Sequence, residues 1–178
     1  MRVNNKGFSL IEVIVAIAIM SIVAGIGSLS FSAARRQDVT RAAKSVDSLL
    51  SQVRMDNMSK ANVEYMYIYI NTDKDAYCYK LSNSKVNSVA AIQSLPDEEV
   101  EICSDSIVIS AGTETSTATI TDNGYVAISF EKSTGAFKCY DSLSGSSETT
   151  IEQMLFKRGR KTSKIVMASE TGKHSVTE

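Results

Sequence analysis

Hydrophobic and polar positions follow three regimes along the chain. From Phe8 to Phe31 nearly every residue is apolar; from Val39 to Val53 apolar residues keep to a fixed spacing; after Val63 short apolar runs alternate with polar ones. A helix needs about 20 apolar residues to cross a hydrocarbon core of about 30 Å, and the first regime is long enough. In the second, Val39, Ala42, Ala43, Val46, Leu49, Leu50 and Val53 recur at steps of three and one. That spacing draws one stripe down a helix. Arg41, Lys44, Asp47, Gln52 and Arg54 fall on its other faces, and Asp38 with Arg41 or Lys44 with Asp47 stand three apart, close enough for weak surface pairs. The two regimes join into one helix from about Phe8 to about Ser59, roughly 75–80 Å long at 1.5 Å per residue.

The third regime predicts strands. Segments 65–70 and 76–81 flank Asn71-Thr-Asp-Lys-Asp75 as a hairpin, and 85–95 reads as a loop or short helix. Further strands are expected at 100–103, 107–110, 117–121, 125–131, 136–140, 151–156, 164–168 and 174–176. Turns are marked by Asp122-Asn-Gly124, Ser133-Thr-Gly135 and Thr171-Gly172, and 142–150 is a Ser/Gly-rich loop. The expected class is α+β, a long N-terminal helix against an antiparallel sheet. Tyr65, Tyr67 and Tyr69 share a strand face and are expected to pack on the long helix.

With 19 Lys+Arg against 20 Asp+Glu in 178 residues, the chain lacks the excess charge of a bulk nucleic-acid binder. Cys78, Cys103 and Cys139 allow three different single disulfides, or three small buried apolar residues. There is no Cys-x-x-Cys, and His174 is the only histidine; no metal or cofactor is expected. No nucleophile elbow or phosphate loop appears, so an enzyme is not expected. Glu98-Glu99 reads as a solvated acidic pair. Lys157-Arg158-Gly159-Arg160-Lys161 is a dense basic turn suited to DNA phosphates or to an acidic partner.

Two features set the N-terminal segment apart from an ordinary anchor. Glu12 interrupts the apolar run, and an acidic group at bilayer depth costs on the order of 3 kcal/mol unless paired. A short basic leader with Arg2 and Lys6 ends in Gly7, directly before Phe8. A cut there would remove the leader and keep the whole apolar segment. The side-chain-free Gly7 lets the scissile bond enter a narrow site.

Lys6-Gly7-Phe8-Ser9-Leu10-Ile11-Glu12 resembles the processing motif of type IV prepilins and type II secretion pseudopilins. The resemblance implies a prepilin peptidase that cuts between Gly7 and Phe8 and N-methylates Phe8. It also implies the other pilin subunits of a filament, served indirectly by an assembly ATPase and a platform protein. The implied organisation is a leader at 1–7, a transmembrane and filament-core helix at 8–34, its amphipathic continuation at 35–60, and a β-rich head at 61–178. The subunit would sit in the cytoplasmic membrane with its head outside the cytoplasm, then enter a surface or periplasmic filament. Glu12 would register each subunit by pairing with a neighbour's Phe8 ammonium, an attraction strengthened by low dielectric. Many pilins carry a proline in the apolar half. Here Gly25 and Gly27 occupy that region, where poor helix formers would loosen the helix during assembly or, the favoured reading, small residues allow close helix packing.

The ending Lys164-Ile-Val-Met-Ala-Ser-Glu-Thr-Gly-Lys173 further resembles the final hairpin of the GspH/FimT group of minor pseudopilins and pilins. One signal points the other way. Arg35, Arg36, Arg41 and Lys44 after the apolar run outnumber Arg2 and Lys6 before it, which by the positive-inside rule favours the opposite orientation. The alternatives are a DNA-binding minor pilin and an uncleaved single-pass protein with a sensing head.

Overall fold

A computed structural model describes residues 10–141 and 151–177, with the side chains of 23–37, 140 and 141 outside the description. The chain divides into two compact units, Met1–Gln37 and Asp38–Glu178. Helix α1, Leu10–Ser59, supplies the described part of the first unit and enters the second. The expected helix start at Phe8 lies outside the described residues.

In the second unit the predicted stripe is the buried one. Val39, Ala42, Ala43, Val46, Leu50 and Val53 are at most 3% exposed, while Leu49, on the stripe's edge, is half-buried. Each fully buried Val or Leu contributes about 1.5–3 kcal/mol, so this face holds the helix to the head. The helix ends where Asn57 turns inward. Its side-chain amide donates to Glu64 O at 2.9 Å and accepts from Glu64 N at 2.6 Å, mimicking a backbone pair across the exit turn.

Among the described residues ten strands follow: β1 Tyr65–Asn71, β2 Ala76–Ser82, β3 Glu99–Ser104, β4 Val108–Gly112, β5 Thr117–Thr119, β6 Tyr125–Phe130, β7 Phe137–Asp141, β8 Gln153–Arg158, β9 Lys161–Ala168 and β10 Lys173–Thr177. Each predicted strand is present, its ends shifted by no more than three residues. They form two antiparallel sheets rather than one, ordered β3-β2-β1-β6-β7 and β10-β9-β8-β4-β5. The chain changes sheet at the β3–β4 turn because β4 pairs with β8, placing Ile109 opposite Phe156 and Ala111 opposite Met154. Both sheets and the α1 stripe close on one core that includes Met66, Ile68, Ile109, Ile128, Phe156 and Ile165.

The other face of the first sheet is also covered. Helix α2, Val89–Gln93, is capped at its start by Ser88, whose hydroxyl accepts from Ala91 N, and at its end by buried Lys80, whose Nζ donates to Gln93 O and Leu95 O at 2.9 Å. Beneath it lies a second cluster of Tyr67, Tyr69, Cys78, Ile92 and Tyr125. The expectation that Tyr65, Tyr67 and Tyr69 pack on the long helix is therefore corrected, since Tyr65 too packs against this second cluster. Met66 and Ile68 face α1, and the alternation of a strand sends the tyrosines to the opposite side. Tyr67 Oη donates to Ser84 O at 2.7 Å and accepts from Val86 N at 3.0 Å, tying down the 83–88 segment; burial pushes its hydroxyl up to about 12.

Candidate functional site

The residues of the cleavage motif, Gly7 and Phe8, lie outside the described residues. Glu12 is described, in the first turn of α1, where a carboxylate complements the positive end of the helix dipole. Around it Leu10, Ile11, Val13, Ile14, Val15, Ile17, Ile19, Met20 and Ile22 are all 47–80% exposed. A contiguous apolar surface of this kind marks contact with lipid or another protein. Ser21 returns its hydroxyl to Ile17 O at 2.8 Å, so that polar group adds little to the face. Among the described residues no helix is long and apolar enough to cross a membrane. The described stretch Leu10–Ile22 amounts to about 20 Å of helix.

The basic segment is the tip of the β8–β9 hairpin. Lys157 and Arg158 end β8, Gly159 and Arg160 form the turn, and Lys161 opens β9. Its four cations are not equivalent. Arg158 Nη1 contacts Asp38 Oδ2 at 3.0 Å and fastens the hairpin to α1, whereas Lys157 and Arg160 are exposed and Lys161 half-buried. Beside the Asp38–Arg158 pair is a cleft of about 180 Å³, also lined by Arg41, Cys103, Ser104 and Ile107.

Glu99 differs from the solvated residue expected of it. It accepts hydrogen bonds from Tyr69 Oη, from Asn71 Nδ2 at 2.9 Å and from Lys74 Nζ at 2.6 Å. Burial works to raise its carboxyl, but hydrogen bonds from Lys74, Tyr69 and Asn71 outweigh that and hold it below the usual value. Glu98, its neighbour just before β3, is exposed, so the pair divides between solvent and sheet. Nothing in the sequence distinguishes the two. The sign of the effect follows from the depressed carboxyl: its stabilising contribution is present above the unfolded value near 4.5 and is lost as pH falls through the lower folded value. Glu99→Gln is expected to cost about 1–3 kcal/mol near neutrality. The gap from wild type should narrow in urea titrations as the pH is taken below about 4.

Cys78, Cys103 and Cys139 remain thiols. The sheet order puts β3 and β7 on opposite edges, so Cys139 is roughly 14 Å or more from either other cysteine, beyond disulfide reach. Cys78 and Cys103 are on neighbouring strands, but Cys78 enters the cluster under α2 and Cys103 packs against the main core. Burial, then nearby carboxylates, pushes the Cys78 thiol up to about 11; burial, then Glu101, pushes Cys103 up to about 12. They behave as apolar residues. His174 pins β10 to α1: Nδ1 meets Gly172 O and Nε2 meets Asp47 O, each at 3.1 Å, with Ser51 Oγ at 2.9 Å from Nε2.

Residues 2–28 match the family model of the prokaryotic N-terminal methylation motif. That motif is the signature of type IV pilins and pseudopilins, and the chain carries it over the segment that contains Gly7, Phe8 and Glu12. No curated protein and no solved structure matches the chain.

Proposed function

We propose that the chain is a structural subunit, a minor pilin or pseudopilin, of a type IV pilus, type II secretion or competence filament. Prepilin peptidase cuts between Gly7 and Phe8 and methylates Phe8. The apolar helix then holds the subunit in the cytoplasmic membrane, with the head outside the cytoplasm, until it is packed among other subunits. The observation that carries this reading is the methylation motif over residues 2–28, lying at the start of a helix whose apolar residues between Leu10 and Ile22 are uncovered. Within the class, the closing hairpin β9–β10 with its Thr171-Gly172 turn supports the GspH/FimT group.

Intact-mass and N-terminal analysis after co-expression with a prepilin peptidase tests the reading. The expected product starts at N-methylated Phe8, and Gly7→Ala is expected to leave the chain starting at Met1. A wild-type chain still starting at Met1 beside an active peptidase would refute processing and point to an uncleaved membrane anchor.

A further inference from the structure

One end of the head carries two opposite charge groups that do not satisfy each other. The first is cationic: Lys157, Arg160 and Lys161 at the β8–β9 tip, with exposed Arg41 beside them on α1. Arg158 is committed to Asp38 and drops out of the balance. The second is anionic: Asp73 and Asp75 in the β1–β2 turn, Asp105 in the β3–β4 turn and Asp122 in the β5–β6 turn, all exposed. Lys74, the cation within this set, is committed to Glu99 at 2.6 Å.

The fold places both groups at the same end. Asp105 N donates to Asp75 O at 3.0 Å, joining the first two acidic turns. Tyr77 Oη donates to Ile120 O at 3.2 Å, bringing the chain entering the third turn to the same end of β2. Val108, just after the β3–β4 turn, pairs with Lys157. Among the described residues no ion pair joins the two groups.

The geometry points to a second copy of this chain as the partner, its acidic turns receiving the basic hairpin of the first. This inference rests on the filament reading above. Copies inserted with one orientation in one membrane stand parallel, so the same end of each head is at the same level. A lateral contact from one patch to a different patch is heterologous, and its repetition builds rings or helical assemblies. Charge complementarity across such a contact sets register and suppresses wrong pairings. A uniformly negative partner fits less well. An anionic lipid surface or a nucleic acid would attract the hairpin and be repelled by four neighbouring aspartates.

The test uses the full-length processed chain in membranes from mixed isotope-labelled and unlabelled expression, treated with a zero-length carbodiimide crosslinker. Mass spectrometry then separates contacts between copies from contacts within one copy. The expected crosslinks join Lys157 or Lys161 of one isotope to Asp73, Asp75, Asp105 or Asp122 of the other. To test the charge pairing apart from crosslinker chemistry, dimer yield is also measured with an amine- and carboxyl-independent photo-crosslinker. Lys157→Glu/Arg160→Glu/Lys161→Glu is expected to lower that yield about tenfold. Asp73→Lys/Asp75→Lys/Asp105→Lys should do the same, and combining both sets in one chain should restore it.

Crosslinks confined to single copies, or a yield unmoved by either reversal, would overturn the inference. So would binding of anionic vesicles or duplex DNA by the wild type that the hairpin reversal abolishes and the combined variant does not restore. N-terminal analysis of the same samples separates the two levels: chains correctly processed at Phe8 but lacking these crosslinks defeat the interface and leave the filament reading standing.

Discussion

Replacing Gly172 by alanine is expected to lower the melting temperature of the head by roughly 10 °C, whereas the same change at Gly159 should lower it by only a few degrees. Both glycines are in the left-handed region, at φ +63° and +60°. An L side chain there costs on the order of 1 kcal/mol at either position. What differs is the space. A Cβ on Gly159 would meet nothing within 4 Å, but a Cβ on Gly172 would come to 1.8 Å from Gly135 O and 3.0 Å from Gly135 C. Those are backbone atoms of another turn, so relief requires separating the β6–β7 and β9–β10 turns.

The same junction is held by Phe137 N donating to Ser169 O at 2.9 Å, and by Arg54 of α1 donating from Nε to Gly135 O at 3.3 Å and from Nη2 to Thr171 O at 2.9 Å. Forcing the turns apart strains these bonds as well. A total of about 2–4 kcal/mol follows, a large part of the stability of a domain this size. Thermal unfolding of both variants by circular dichroism decides the matter. Equal losses at Gly159 and Gly172 would show that conformation alone governs and that the turns do not abut.

The contrast between those two glycines also shows what sequence can and cannot disclose. Turn chemistry is local, so Thr171-Gly172 was readable as a turn; the approach of Gly135, 37 positions earlier in the chain, was not. The stripe from Val39 to Val53 was readable because helical period and burial coincide along a single element. The second sheet was not, since alternation tells that a strand has two faces but not which strand it pairs with. Tyr67 and Tyr69 illustrate the consequence. Both faces of β1 are buried, and nothing in the alternation of aromatic with aliphatic residues says which face meets α1. Glu99 does not show itself in the sequence for a similar reason, because Tyr69 and Asn71 reach it from across the sheet. At the candidate site, motif spacing around Gly7, Phe8 and Glu12 was legible at once, because the methylation motif is one unbroken local run of residues. The commitment of Arg158 to Asp38, 120 residues away, needed the fold.

Glu12→Ala is expected to leave processing at Gly7 intact while reducing entry into filaments by at least about a hundredfold. The opposing energies make this a sharp test. For a helix resting in lipid, removing the carboxylate relieves a cost on the order of 3 kcal/mol, so the variant should accumulate in the membrane at least as well as wild type. If Glu12 pairs with the Phe8 ammonium of a neighbouring subunit in the proposed filament, the same removal strands that ammonium in low dielectric, a loss of about 3–5 kcal/mol. One substitution thus stabilises the precursor state and destabilises the assembled one. Glu12→Gln, which keeps the shape and a hydrogen bond but not the charge, should resemble Glu12→Ala if the ion pair is what matters. Glu12 and the head belong to different compact units, so thermal unfolding of the head should be unchanged in both variants. The measurement is the ratio of sheared-filament to membrane-bound subunit by quantitative immunoblotting. A ratio equal to wild type in both variants would mean that Glu12 sits at the headgroup interface without a partner, and that registration between subunits comes from apolar packing or from the heads.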